Sequence, residues 1–357
     1  MKLKPHRAEK EVHVPLITDQ PEDWTEPGAH KIAPGVHRIP LPLPLDGLGT
    51  VNAYVLEGPD GLVVIDPGWF SPKTEIAMTA ALRGLGYRLD DIATCLATHH
   101  HWDHYSQAYA WRSTVGCDLM VGAGERHSIL GFGTDAGRFP NHASILTRCG
   151  APQLAQELAS SPVPDEEAGI AFGPPDRWLE HGDRIRLSEG DIEVVATPGH
   201  TRGHVVFHHA GSGLLFSGDH ILPHITPSIG FEWAPEAHPL RSYIRSLELV
   251  HELPDTALLP SHGPVADSSH HRVEELLYHH EHRLDEICNE VAAGSSTAYD
   301  VARALRWTRR GRQLGDLPID HQLSAITEIH AHLDVLTMLG RVSYTDRNEV
   351  RTYALSA

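Results

Sequence analysis

THHHWDH, Thr98–His104, sets four potential metal ligands within seven residues: His99, His101, Asp103 and His104, spaced H-x-H-x-D-H. The stretch follows Ile92–Ala97, a short apolar run of the buried-strand type. Where the backbone turns at a strand end, side chains two residues apart can converge. His99 and His101 can therefore share one metal while Asp103 and His104 point to a second. Neutral imidazole and carboxylate are ligands that zinc and other borderline divalent metals take. The chain holds 28 histidines, so this motif needs support from elsewhere. Three further turns supply it: TPGHTRGH (Thr197–His204), SGDH (Ser217–His220) and PSHG (Pro260–Gly263). Each places a potential ligand (His200, Asp219, His262) just after a predicted strand, in a turn that contains glycine.

Working outward, Thr50–Leu56 and Leu62–Ile65 read as strands around the turn Gly58-Pro59-Asp60-Gly61. Ser71–Leu85 reads as a helix capped by Ser71, with Pro72 in its first turn. Arg184–Leu187, Ile192–Ala196, Val205–His208, Leu214–Ser217 and Ala257–Leu259 read as strands. Pro239–Leu253 reads as an amphipathic helix with Leu240, Tyr243, Ile244, Leu247 and Val250 on one stripe. Residues 124–176, rich in Gly and Pro, read as an insertion or lid bordering the pocket. After Ser268 come a long helix stopping at Gly294, a second opened by a Thr297/Asp300 capping box, and a third ending at Gly340. A hairpin of Val342–Tyr344 and Val350–Leu355 closes the chain. Three helices and a hairpin form a winged-helix pattern.

With these motifs in this order, residues 31–265 resemble the metallo-β-lactamase superfamily. The resemblance implies an αββα sandwich, an α/β fold, here followed by the small winged-helix domain. The expected division is an N-terminal arm (1–30), a catalytic domain (31–267) and the winged helix (268–357). Carried over position by position, the resemblance makes His99, His101 and His200 the ligands of a first metal. Asp103, His104 and His262 become those of a second, and Asp219 a carboxylate bridging both. Asp66, in VVIDPG, would support the site from behind, and Thr201 and His204 would orient ligands. The implied cofactors are two divalent ions, zinc first, with manganese or iron as alternatives. Two such ions with Asp103, Asp219 and a bridging hydroxide leave roughly one net positive charge, suited to an anionic substrate. Asp103 and His224 are the candidate catalytic residues, Asp103 as proton acceptor; His220 and His224, which follow Asp219, either line the pocket or, more in keeping with so His-rich a chain, sit in the core or on the surface. His100 is expected to face away from the metals, Trp102 to be packing, and His279, His280 and His282 to form a solvated helix face.

The expected activity is hydrolysis of a thioester or ester of a small anionic molecule. The alternatives are a single-strand endoribonuclease, a lactonase, or a non-enzymatic winged-helix scaffold or sensor. A formal net charge of −18 disfavours nucleic acid as a partner. Residues 268–357 carry ten Arg and no Lys against thirteen Asp plus Glu. The cluster Arg303, Arg306, Arg309, Arg310 and Arg312 is a local exception and reads as solvated. Cys95, Cys117, Cys149 and Cys288 form no CxxC pair and read as reduced thiols. With no apolar run near the roughly 20 residues of a membrane span and no leader pattern, the expected location is cytoplasmic. A homodimer is the default assembly.

Overall fold

The computed structural model describes residues 20–44, 49–132, 141–308 and 310–356. Much of the expected N-terminal arm, and Arg309, lie outside the described residues. From residue 20 the arm lies against the first strands, where the buried Arg38 donates to Trp24 O at 2.6 Å and to Asn52 Oδ1 at 2.9 Å.

Among the described residues the first sheet runs in chain order. Its strands are β1 (His30–Ala33), β2 (Val36–Pro42), β3 (Thr50–Gly58), β4 (Gly61–Ile65), β5 (Ile92–Ala97), β6 (Asp118–Gly122) and β7 (Arg177–Leu179). Between β4 and β5 lies α1 (Pro72–Gly84), where Ser71 accepts from the Thr74 N–H as its cap. Between β5 and β6 lies α2 (Trp102–Thr114). The 124–176 region supplies α3 (Arg126–Gly131), α4 (His142–Arg148) and α5 (Pro152–Ser160). The second sheet has the order β12-β11-β10-β9-β8, built from β8 (Arg184–Arg186), β9 (Asp191–Ala196), β10 (Val205–His209), β11 (Leu214–Gly218) and β12 (Ala257–Pro260). The helix α6 (Pro239–Glu252) precedes β12. The chain ends in α7 (Ser269–Ala292), α8 (Ala298–Ala304), α9 (Ile319–Met338) and the hairpin β13 (Val342–Arg347) with β14 (Val350–Leu355).

Strand periodicity sorts the side chains into layers. In β3, Tyr54 and Leu56 face the second sheet, meeting Val194, Phe207, Phe216 and Leu259. The alternate residues Val51, Ala53 and Val55 face α1 and α2, beside Met78, Leu82, Tyr105 and Trp111. In the second sheet Val195, Val206, Leu215 and Leu258 point the other way, onto Leu240, Tyr243 and Leu247 of α6. Helix, sheet, sheet and helix therefore stack as the αββα expectation requires.

The layering also places strand ends. β9 and β10 are antiparallel, β10 and β11 antiparallel, and β11 and β12 parallel. So β9, β11 and β12 run the same way and release their following loops at one edge. The loop after β5 joins them there, since the Val205 N–H donates to Thr98 O at 2.9 Å across the two sheets.

The C-terminal helices and hairpin follow the expected order, with two differences. The first hairpin strand runs further than expected, to Arg347, while the second keeps its expected bounds, and they meet at a two-residue turn, Asn348-Glu349, with φ of 49° and 68°. The region also shares its core. Leu146, Cys149, Ala155 and Leu158 of the 124–176 region pack with Leu284, Ile287, Ile326 and Leu333. Val273, Leu276 and Ala331 pack onto α6. Deleting residues 268–357 would uncover both apolar surfaces. The truncated chain is expected to aggregate, which size-exclusion chromatography of the expressed product would reveal.

His280 departs from the expected solvated face. It is buried against the rings of Tyr243 and His332, with Nδ1 at 3.1 Å from His332 Nε2, while His282 is exposed. The four cysteines are free thiols, as expected. No described helix is long and apolar enough to cross a membrane.

Candidate metal centre

The loops after β5, β9, β11 and β12 and the first turn of α2 bring all seven candidate ligands together at that edge. His99 Nε2 lies 2.9 Å from His101 Nδ1, and His200 Nε2 lies 3.3 Å and 3.2 Å from those two atoms. Three nitrogens so close suit one tetrahedral ion, whose ligand atoms on arms of ~2.0–2.1 Å stand about 3.3 Å apart. Beside them, Asp103 Oδ1 is 3.4 Å from His104 Nε2, and Asp103 Oδ2 is 3.2 Å from His262 Nε2. Asp219 reaches both groups: Oδ2 is 3.7 Å from His104 Nε2 and from His200 Nε2, and Oδ1 is 3.5 Å from His262 Nε2. His104 Nε2, His262 Nε2 and Asp219 Oδ1 are buried without a hydrogen-bond partner. Buried polar atoms left unpaired are costly. Orphaned lone pairs facing one another fit a divalent ion.

The far side of each imidazole faces a polar atom. His200 Nδ1 meets Ser228 O at 2.8 Å, His262 Nδ1 meets Thr50 O at 2.9 Å, and His101 Nε2 meets Phe231 O at 2.8 Å. His99 Nδ1 meets Thr98 Oγ1 at 3.1 Å, and that hydroxyl donates to Asp66 Oδ2 at 2.9 Å. His104 Nδ1 lies 3.0 Å from Asp66 Oδ2. A proton held on the outer nitrogen leaves the inner one with its lone pair available. Asp66 is thus placed behind the site, as the sequence suggested. His204 lies behind it too. It is buried, with Nδ1 at 2.9 Å from Thr197 Oγ1, and its Nε2 accepts from the Asp219 N–H at 3.2 Å.

Electrostatics divide the two groups. Burial, then the neighbouring imidazoles, hold His99 well below the usual range and bring His101 and His200 down to about 3. All three are neutral donors at pH 7. Burial would lower His104 as well, but Asp103, Asp66 and Asp219 outweigh it and hold that ring well above its ordinary value. His262 is raised for a similar reason: burial opposes, while Asp219 and Asp103 prevail. The second group is therefore rich in carboxylate charge, the kind a divalent cation neutralises.

Other candidates fall elsewhere. His224 is exposed on the loop after Asp219, outside every His/Asp/Glu group with converging ligand atoms among the described residues. His220 is fully buried against Tyr243, not in a pocket wall. His100 turns away from the metals, as expected. Trp102 does more than pack: it lines a cavity beside His101.

The sequence reading passed over Glu125. Its carboxyl, fully buried, meets His100 Nδ1 at 2.5 Å and accepts from the Thr201 hydroxyl. It thus ties the 98–104 loop to the 199–204 loop. The backbones touch here as well: a Cβ on Gly203 would stand 1.9 Å from Glu125 N, and one on Gly122 would stand 2.1 Å from Gly203 O. Gly122, Gly124 and Gly203 are the only signal the sequence offered, and they mark a close approach rather than a carboxylate. Burial pushes Glu125 up to about 8, against hydrogen bonds from Thr201 and the backbone, and burial pushes His100 down to about 3. The pair is therefore mostly uncharged at neutral pH. Glu232 completes a fourth converging group, but its oxygens accept from Ser128 Oγ at 2.8 Å and the Arg202 N–H at 2.6 Å. Replacing Glu125 with alanine strands two buried side-chain partners. The expected loss is roughly 2–5 kcal/mol of stability, with Glu125→Gln losing much less, as read by thermal unfolding.

Comparison with known proteins agrees with this geometry. The family model described as the metallo-beta-lactamase superfamily matches residues 46–262. The chain is 25% identical over 323 residues to the probable metallo-hydrolase YqjP of Bacillus subtilis, covering 88% of this chain and 95% of that protein. It is 30% identical over 156 residues to a hydroxyacylglutathione hydrolase of Rhodospirillum rubrum, covering 44% of this chain and only 41% of that one. Among solved structures, a beta-lactamase domain protein from Burkholderia ambifaria superimposes with a TM-score of 0.72 at 26% identity, over 95% of this chain and 99% of that one. A metallo-beta-lactamase family protein of Thermus thermophilus gives 0.73 at 24% identity, over 91% of this chain and all of that one, and supports the fold. Strand order, layering and the matched span together show that this chain belongs to the metallo-beta-lactamase superfamily.

Proposed function

We propose that the chain is a binuclear metal-dependent hydrolase acting on a thioester or ester of a small anionic molecule. One observation carries the reading: three converging imidazoles stand beside a second group of imidazole and carboxylate whose buried inner nitrogens on His104 and His262 are unpaired, and Asp219 lies within 3.7 Å of both groups. The relative named hydroxyacylglutathione hydrolase adds weight to a thioester, since an acylglutathione is one.

In this reading His99, His101 and His200 would hold one ion and Asp103, His104 and His262 the other, with Asp219 within reach of both groups. When bound there, two divalent ions, zinc foremost, would supply a water acidified to a pKa of about 7 and a Lewis acid for the scissile carbonyl. Asp103 takes up the proton released on attack at its carboxylate. Thr98, Asp66, Ser228 and the Phe231 carbonyl fix the imidazoles so that little reorganisation accompanies the reaction. Residues 268–357 serve as a winged-helix unit that braces α6 and the 124–176 region. The enzyme acts in the cytoplasm, as a homodimer, on a small molecule rather than nucleic acid.

The test is thiol release from a panel of acyl thioesters by metal-loaded protein, with His101→Ala as control. Turnover lost in the variant supports the reading. Silence across thioesters and simple esters, with two metals bound, overturns it and shifts weight to lactones and single-stranded RNA.

A further inference from the structure

Next to His101 lies a cavity of about 90 Å³ whose walls are mostly aromatic: Trp102, Phe172, Phe231 and Trp233. Phe132 backs them, its ring centroid 4.2 Å from Trp233, 4.6 Å from Phe172 and 5.2 Å from Trp102. Large rings that remain only half-buried and converge on a hollow are unusual for simple packing, because filling the hollow would bury more apolar surface.

The box is built into the candidate centre. Trp102 opens α2 directly after His101. The residue that supplies the Phe231 ring also offers the carbonyl that meets His101 Nε2. Phe172 is held from behind by Tyr105, whose ring lies 5.0 Å away and whose hydroxyl donates to Gly173 O at 2.9 Å. Among the described residues no lysine or arginine lines the cavity, and the titratable ones that do are Glu167, Glu232, His100 and His101. Among these residues a carboxylate-bearing group would find no cation. Glu232 already receives Ser128 and the Arg202 N–H, which leaves it poorly placed to pair with a ligand cation.

We propose that this cavity receives the acyl group of the substrate, and that this group is uncharged and apolar: a short alkyl chain or a single ring. The proposal rests on the hydrolase reading above, because a scissile carbonyl at the centre is what brings the acyl group beside His101. The volume leaves room for a small group of a few carbons before a longer tail meets solvent. Any anionic part of the substrate then lies on the leaving-group side.

Binding of the product-like carboxylates acetate, propionate, butyrate, hexanoate, phenylacetate and succinate tests this without turnover. Tryptophan fluorescence of the metal-loaded full chain is the readout, since Trp102 and Trp233 line the cavity. Each methylene up to butyrate is expected to tighten binding about fourfold, from ~0.8 kcal/mol per buried CH₂, and then the gain should level off. Phenylacetate should bind at least about tenfold tighter than acetate, and succinate no tighter than acetate. Trp233→Ala and Phe172→Ala should erase the gain and leave acetate unchanged. A series on the wild-type chain that is flat from acetate to phenylacetate overturns the proposal, whether or not the variants fold. Tighter binding of succinate or of tetramethylammonium does so too. A flat series in a protein that does hydrolyse thioesters removes the acyl cavity alone. A graded series in a protein that hydrolyses neither thioesters nor esters upholds the cavity's preference and removes the hydrolase reading.

Discussion

Asp219→Ala is expected to lower metal content from two ions per chain to one or fewer, and any hydrolytic rate by on the order of a thousandfold. Among the described residues its carboxylate is the group within 3.7 Å of an imidazole from each triad, His200 on one side and His104 on the other. Without it, two divalent ions and a hydroxide face one carboxylate, Asp103, and the site's net charge rises from roughly +1 to +2. The ions then repel each other more, and each has lost a ligand. Asp219→Asn keeps the shape and the backbone contact to His204 and separates lost charge from lost packing. Elemental analysis beside a rate assay checks the result. A variant with two ions and full rate would remove Asp219 from the account.

Asp66→Ala is expected to cost about 3–5 kcal/mol of stability and to weaken metal binding by about 10–100-fold, although Asp66 touches no ion in this reading. Its Oδ1 accepts the Thr98 N–H at 2.8 Å. Its Oδ2 accepts the Thr98 hydroxyl at 2.9 Å and the Ser261 hydroxyl at 2.7 Å, and lies 3.0 Å from His104 Nδ1. One carboxylate thus fastens the ends of β4, β5 and β12 at the rim where the ligands emerge. All of these partners are buried, so removing the acceptor leaves donors that water cannot reach. The backbone adds to the cost, because Asp66 has φ of +50°, a conformation Asp tolerates better than Ala. Thermal unfolding and metal content measure both effects, and an unchanged melting temperature would contradict the account.

The sandwich and its rim were legible because the ligand turns carry short-range signals. Ile92–Ala97 came out of the apolar run with its bounds intact, and His200, Asp219 and His262 each sit next to a glycine. Ser71-Pro72 announced α1 through capping chemistry that is purely local. By contrast α2 escaped notice. Residues Asp103–Ala108 are buried all round, so DHYSQA shows no apolar stripe, and His101 makes no capping hydrogen bond to mark its start. β7 is three residues long, too short for alternation to register. His280 was misread as solvated although it falls four residues after Leu276 and four before Leu284, on the buried stripe of α7. The spacing was the better guide than the residue type. Glu125 and the packing of α4 and α5 against α9 depend on contacts between segments distant in sequence, which no local pattern encodes.

The central claim is that two ions sit in the two groups with Asp219 between them. Anomalous scattering from crystals of the metal-loaded full chain tests it most directly. Two peaks are expected roughly 3.5–4 Å apart, one among His99, His101 and His200 and the other among Asp103, His104 and His262. A single peak, or a peak at His100, Glu125 and Glu232 instead, would contradict it.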